Sequence, residues 1–137
     1  MGGSRRFAGL IAVGAFAPLA LAQAYRNEPC KQVSAQLACV EVHGRLSQGS
    51  GTPSMRLWQI GTDHVFGIFS NAYGFRHDDT TGDNEHPKLP INVKKLGKGP
   101  ALGVVISGDY MVCPMEPRVE GHMQAACIAK ADHLVAK

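Results

Sequence analysis

Hydrophobic and polar residues alternate from Val42 to Phe69 and predict three short strands joined by two turns. The first strand extends back to Ala38 and is apolar on one side and polar on the other. The second strand, Ser54 to Ile60, has large side chains on both sides, so we expect it to be covered on both faces. The third strand runs from His64 to Phe69. The short connections between the strands indicate an antiparallel meander.

Strand character returns in the last third of the chain. Leu102 to Ser107 is rich in β-branched residues, and Gly108-Asp109 is predicted to bend the chain into Tyr110 to Met115. A connection containing proline and glycine then leads to a strand over His122 to Lys130, and Leu134 to Ala136 predicts a last edge pairing. The strand groups are separated by a long polar loop, in which residues 89–96 predict a short helix.

The order of these elements predicts an all-β protein. Three strands, a long loop with a short helix, and two or three further strands form the order of a small, partly open antiparallel barrel of the oligonucleotide/oligosaccharide-binding type. A two-sheet sandwich accounts for the same order of strands. Barrel and sandwich therefore both remain open.

Residues 1–24 are predicted to be a signal peptide. Arg5 and Arg6 precede an apolar run from Phe7 to Ala22, and Ala22-Gln23-Ala24 has the small-x-small pattern that signal peptidases recognise. The run is shorter than the roughly 20 residues that cross a bilayer. We therefore expect export through the general secretory route to the periplasm or the extracellular space. The exported part, residues 25–137, is predicted to be one domain without a membrane span.

The charge of the chain argues against a nucleic-acid partner. The formal net charge is +3, and two of the positive charges are Arg5 and Arg6 of the predicted signal peptide. The remaining domain is close to neutral and lacks the basic face that nucleic acid or an anionic membrane surface would require. A small run of lysines, Lys94, Lys95 and Lys98, has no interleaved aromatic residues, so we interpret it as a solvated face.

The chain contains four cysteines, all of them after residue 24. An even number without a Cys-x-x-Cys pair predicts two disulfides in an exported domain. Three connectivities exist in principle. We expect Cys30 to pair with Cys39 because they are close in sequence, and Cys113 to pair with Cys127 because the alternation of the two C-terminal strands places them opposite each other.

Polar residues on the first two strands are the first candidates for a binding site. His43 and Arg45 share the polar side of the first strand, and Arg56 and Trp58 lie on the second. Together they predict a shallow patch that binds an anion or stacks a sugar ring on the tryptophan. A core tryptophan with solvated arginines is the alternative interpretation. Two further histidines, His64 and His122, also fall in predicted strands and are candidates to converge with His43.

The loop around residues 76–86 is the second candidate. Four of its residues predict a divalent-metal site: His77, Asp79, Asp83 and His86. Their spacing matches neither an EF-hand nor a His-Glu-x-x-His pattern, and a solvated charged loop accounts for the same composition. No nucleophile, base and acid can be ordered into a catalytic set. We therefore expect a non-catalytic module, without a cofactor, that binds a small ligand or an envelope protein. A metal-binding or hydrolytic protein is the alternative.

Four segments resemble a family of small exported bacterial proteins of unassigned function: Gly44-Arg45-Leu46, Thr52-Pro53-Ser54-Met55-Arg56-Leu57-Trp58, Ile60-Gly61-Thr62 and Gly108-Asp109-Tyr110-Met111-Val112-Cys113-Pro114. The resemblance implies a periplasmic or secreted protein. It supplies no catalytic residues.

Overall fold

The computed structural model describes residues 9–12, 14, 27–77, 85–96, 99–101 and 103–137. The strands are β1 (Val40–Gln48), β2 (Met55–Gln59), β3 (Val65–Ile68), β4 (Val105–Pro114) and β5 (Gln124–Ala136). A 3-10 helix, Ala35–Leu37, precedes β1, and helices α1 (Ala72–Arg76) and α2 (Ile91–Lys94) lie between β3 and β4. Most of the predicted signal peptide lies outside the described residues. No helix in the described ranges has the length and apolar character needed to span a membrane.

The five strands close into a barrel in the order β1-β2-β3-β5-β4, with β4 paired back onto β1. All neighbours are antiparallel except β3 and β5, which run parallel. The predicted all-β fold with a short helix between the third and fourth strands is confirmed. The pairing of β1 with both β2 and β4 closes the sheet on itself, so the architecture is a barrel rather than a sandwich.

The barrel interior is built from the apolar side of each alternating strand. Val42 and Leu46 of β1 point inward while His43 and Arg45 face outward, and on β2 Leu57 is fully buried. The expectation that both sides of β2 are covered is wrong, because its outer side is only half-buried. The interior cluster also contains Ile68, Ile106, Tyr110, Val112 and Ile128.

Tyr110 is the largest fully buried side chain and brings a hydroxyl into the barrel. This hydroxyl donates a hydrogen bond of 2.6 Å to the carbonyl of Ile106. A buried polar group needs such a partner to offset its loss of water. Burial also raises the pKa of Tyr110, since the charged phenolate is disfavoured inside the barrel.

Strands β4 and β5 are longer than predicted. Gly108 and Asp109 do not break the strand; they lie inside β4, opposite an irregularity in β5. Ser107 pairs with Val135 but Asp109 pairs with Asp132, so β5 carries an extra residue here, as in a β-bulge. A Cβ atom on Gly108 would lie 2.8 Å from the carbonyl oxygen of Asp132 and 2.6 Å from Leu134, so glycine permits this close approach.

The two helices are short. Helix α1 was not predicted, and it begins where the Asn71 side chain accepts a hydrogen bond from the backbone N–H of Gly74. Asparagine is among the preferred residues at this position. Helix α2 occupies only the middle of the predicted segment 89–96 and begins after Pro90.

The disulfides join Cys30 to Cys127 and Cys39 to Cys113, so the predicted pairing is wrong. Cys113 and Cys127 do lie opposite each other on β4 and β5, as expected, but each bonds to a cysteine near the N-terminus. Val40 pairs with Val112, which brings Cys39 beside Cys113. The closing contact between β1 and β4 decided the connectivity, and no local pattern reveals it. Two disulfides are typical of a protein outside the reducing cytoplasm.

Candidate functional site

A pocket of about 320 Å³ lies on the outer side of β2 and β3, against the connection between β4 and β5. We call it the outer pocket. It is formed by residues from three parts of the chain, among them Arg56, Asp63, His64, Val65, Arg118 and Met123. Barrels of the oligonucleotide/oligosaccharide-binding type bind their ligands on this face, between the β1–β2 and β4–β5 connections.

Gly67 of β3 allows these two connections to approach each other. A Cβ atom at this position would lie 2.7 Å from Cγ of Pro53 and 2.9 Å from Sδ of Met123. Pro53 belongs to the β1–β2 connection, and Met123 ends the β4–β5 connection. Because glycine has no side chain, both connections are able to cover β3 beside the outer pocket.

Arg56 lines the outer pocket, and its guanidinium lies against the β1–β2 connection. Its Nη2 donates to the carbonyl of Ser50 at 2.7 Å, and its Nε donates to the carbonyl of Pro53. These two bonds use two of the five guanidinium N–H donors. No ion pair joins Arg56 to a carboxylate in the part of the chain that the structure describes.

The second arginine of the outer pocket, Arg118, has a carboxylate partner. Nη2 of Arg118 lies 3.6 Å from Oδ1 of Asp63, and both side chains are exposed. An exposed pair of this kind contributes little to stability. It does leave Arg56 as the charge of the pocket that has no opposite partner within the described ranges.

His64 is buried and is held by a fixed chain of hydrogen bonds. Its Nε2 lies 2.8 Å from Oε1 of Gln124, and Nε2 of Gln124 donates to the carbonyl of Glu116 at 2.8 Å. Phe66 contacts the imidazole edge to face, with ring centroids 4.4 Å apart. The buried glutamine thus links His64 to the β4–β5 connection.

The structure divides the predicted patch of His43, Arg45, Arg56 and Trp58. Arg56 lines the outer pocket, whereas Arg45 lies directly opposite Trp58 with its Cζ 5.3 Å from the ring centroid. Nε1 of Trp58 donates to the carbonyl of Thr62 at 2.6 Å, which fixes the ring on the outer surface. Of the three histidines expected to converge, His64 and His122 line the outer pocket, and His43 lies elsewhere.

His43 belongs to a second polar cluster, formed with Asp109 and His133. Nδ1 of His43 lies 2.8 Å from Oδ1 of Asp109, and Nδ1 of His133 lies 3.0 Å from Oδ2. His133 sits at the irregularity of β5 with a φ of 53°, in the left-handed region. No sequence pattern connects His133 with His43, because β4 lies between their strands.

The hydrogen bond from His43, together with the bond and charge of His133, lowers the pKa of Asp109. A carboxyl whose pKa is lower in the folded state stabilises the fold above its unfolded pKa, and this contribution is lost as the pH falls through the folded pKa. We therefore expect the variant D109N to differ most in stability from the unsubstituted protein above about pH 4, with the difference shrinking at lower pH.

Urea unfolding at a series of pH values checks this expectation. The same D109N comparison in an H43A/H133A background is the control, and there the pH dependence should disappear. A stability difference between D109N and the unsubstituted protein that stays constant from pH 6 to acid would contradict it.

The predicted metal site is only partly described. Asp79 and Asp83 lie outside the described residues, while His77 stacks on Tyr73 with ring centroids 3.9 Å apart, and its Nδ1 contacts the carbonyl of Tyr73. Within the described ranges, the group of metal-ligand atoms that come together is the sulfurs of Cys30, Cys113 and Cys127, which are engaged in disulfides. The metal hypothesis for the loop stays a prediction.

Two residues of the outer pocket, Asp63 and Arg118, were not singled out in the sequence. Arg118 lies in a connection whose path over β3 depends on the parallel pairing of β3 and β5. Comparisons of the chain with protein-family models, curated proteins and solved structures found no match. The fold and the pocket define the protein as a five-stranded, disulfide-bonded β-barrel with a basic pocket on its outer face.

Proposed function

We propose that the protein is an exported, non-catalytic binding module that holds a small anionic ligand in the outer pocket. The observation that carries the proposal is Arg56, which lines the pocket and whose guanidinium is positioned by backbone carbonyls without a carboxylate partner in the described chain. A charge fixed by neutral partners is ready to bind an anion without first breaking an ion pair.

The location of the outer pocket supports the same function. It lies where small barrels of this architecture bind their ligands, between the connections that follow β1 and β4. The surrounding residues supply a partly apolar wall, from Val65 and Met123, next to the charge. Few convergent polar groups on an apolar wall are typical of small-molecule sites.

The proposed location is the periplasm or the extracellular space, reached through the general secretory route. The basic and apolar N-terminal sequence with its small-x-small end supports this route. The two disulfides are consistent with it, since such bonds persist in oxidising compartments. The resemblance to small exported bacterial proteins favours the same location, and we use it only as support for this proposal.

Galacturonate and galactose form a matched pair of probes for the proposed function, because they share a sugar ring and differ in the carboxylate. Titration of the protein labelled with nitrogen-15, followed by amide chemical shifts, should detect galacturonate at Val65, Gly121 and His122. The variant R56Q should weaken galacturonate binding about tenfold, since hydrogen bonds to a charged group contribute roughly 1.5–3 kcal/mol.

The control is R76Q, which removes the same charge from helix α1, outside the outer pocket. It should leave galacturonate binding unchanged. Equal binding of galactose, or equal loss of binding in R56Q and R76Q, would refute an anion site at Arg56. Urea unfolding of each variant checks that its fold is intact.

A further inference from the structure

The two disulfides lie next to each other. The sulfur of Cys113 lies within 4.8 Å of both sulfurs of the bond between Cys30 and Cys127. This proximity follows from the strand pairing, because Cys113 and Cys127 are directly opposite each other on β4 and β5. A disulfide joins Cα atoms roughly 4.4–6.8 Å apart, and opposite residues of antiparallel strands meet this requirement. The fold therefore allows a second pairing, Cys113 with Cys127, besides the two bonds that are present.

The four cysteines differ in their access to solvent. Cys113 and Cys127 are buried, with exposures of 0% and 1%, whereas Cys30 and Cys39 are partly exposed. Disulfides are broken by a thiolate that attacks one sulfur and expels the other. An external thiolate reaches the exposed cysteine of each pair first, so the thiolate that it expels is the buried one, next to the other disulfide.

We infer that the two disulfides form a redox-sensitive switch, which a dithiol reductant converts into one bond between Cys113 and Cys127. When the reductant attacks Cys39, the expelled thiolate of Cys113 attacks the sulfur of Cys127, and Cys30 leaves as a thiolate. When it attacks Cys30, the thiolate of Cys127 attacks Cys113, and Cys39 leaves. The second thiol of the reductant then resolves the mixed disulfide. The dithiol is oxidised to a disulfide, the protein gains two thiols, and both routes give the same product.

The exchange frees the segment before β1, residues 27–39, which contains both Cys30 and Cys39. No residue of this segment, which the structure describes throughout, is fully buried. The side chains of Asn71 and Lys88 donate hydrogen bonds to its first residues. Such hydrogen bonds stabilise far less than a disulfide, so the two disulfides are the main attachment of the segment to the barrel. One equivalent of reductant thus removes both attachments.

Limited reduction of the unsubstituted protein tests the switch. The protein is treated with one equivalent of dithiothreitol at about pH 8, where thiolates form, then quenched in acid at intervals and alkylated. Trypsin separates the four cysteines, since Lys31 lies between the first two and Arg118 between the last two. Mass spectrometry of the peptides then identifies which cysteines are bonded and which are alkylated.

The expected main product of this reduction has Cys113 bonded to Cys127, with Cys30 and Cys39 alkylated. A main product that keeps either original disulfide, with the other pair alkylated, would overturn the inference. A bond between Cys30 and Cys113 would overturn it as well, because the segment would stay attached.

The variants C39A and C113A form a matched pair, since each removes the same disulfide and leaves one free thiol. In C39A this thiol is Cys113, beside the remaining bond, whereas in C113A it is Cys39, whose sulfur is outside the group of three neighbouring sulfurs. Without reductant, C39A should convert to the bond between Cys113 and Cys127, and C113A should keep the bond between Cys30 and Cys127. Equal exchange in both variants, or none in C39A, would contradict the switch.

The release of the segment is measured by cleavage under native conditions. Trypsin should cut the exchanged protein after Lys31 about tenfold faster than the untreated protein, because cleavage follows the population of the open segment. Cleavage after Arg118, in the β4–β5 connection, is the control and should be unchanged. An unchanged rate at Lys31 would show that the bonds exchange without freeing the segment, and the switch would be refuted.

Discussion

Removing the disulfide between Cys30 and Cys127 by the double substitution C30A/C127A is expected to lower the free energy of unfolding by about 3.5 kcal/mol. The two disulfides are nested, since Cys39–Cys113 lies inside the loop that Cys30–Cys127 closes. The outer bond spans 97 positions of sequence, but with the inner bond in place it closes a loop of only about two dozen residues. The chain-entropy model gives the stated value for a loop of this size.

Urea unfolding followed by circular dichroism measures the loss. The matched variant C39A/C113A removes the inner bond and should lose a similar amount, because the outer bond then keeps the remaining chain closed. Peptide mapping of the unsubstituted protein under non-reducing conditions should recover Cys39 linked to Cys113. Recovery of Cys30 linked to Cys39 would contradict the connectivity, and a loss below about 1 kcal/mol in both variants would contradict the stabilisation.

The second large effect is expected at Leu57. Leu57→Ala should lower the free energy of unfolding by about 3 kcal/mol, because its side chain is fully buried inside the barrel and the substitution leaves a cavity. The adjacent Trp58 faces outward and is only half-buried, so Trp58→Ala should lose about 1 kcal/mol and remain folded. Thermal and urea unfolding of the two variants provide the comparison.

This pair of variants also tests which interpretation of the tryptophan is correct. The structure places the ring on the outer surface, between Arg45 and the carbonyl of Thr62. If Trp58→Ala unfolded the protein while Leu57→Ala was tolerated, the assignment of inner and outer faces of β2 would be wrong. Far-ultraviolet circular dichroism, which does not depend on the tryptophan, monitors both variants.

The pattern of the sequence alone predicted the all-β class and the inward face of β1. Period-two alternation identified the inward positions Val42 and Leu46, because a strand with one solvated face must separate apolar from polar side chains. The glycine and proline residues after β1 marked its connection to β2. Arg56 was found as a binding candidate from its polar position on β2, and it does line the outer pocket.

Which residues these elements bring together depends on long-range strand pairing. The closing pairing of β1 with β4 joined Cys39 to Cys113, and the parallel pairing of β3 with β5 carried Arg118 and Met123 over the outer face of β3. Both pairings join segments far apart in sequence, and the free energy that selects them comes from burying side chains of several strands in one core. The alternation of apolar and polar residues along one strand does not indicate which strand it pairs with. The sequence therefore predicts the strands, whereas the disulfides and the outer pocket depend on the pairings of β1 with β4 and of β3 with β5.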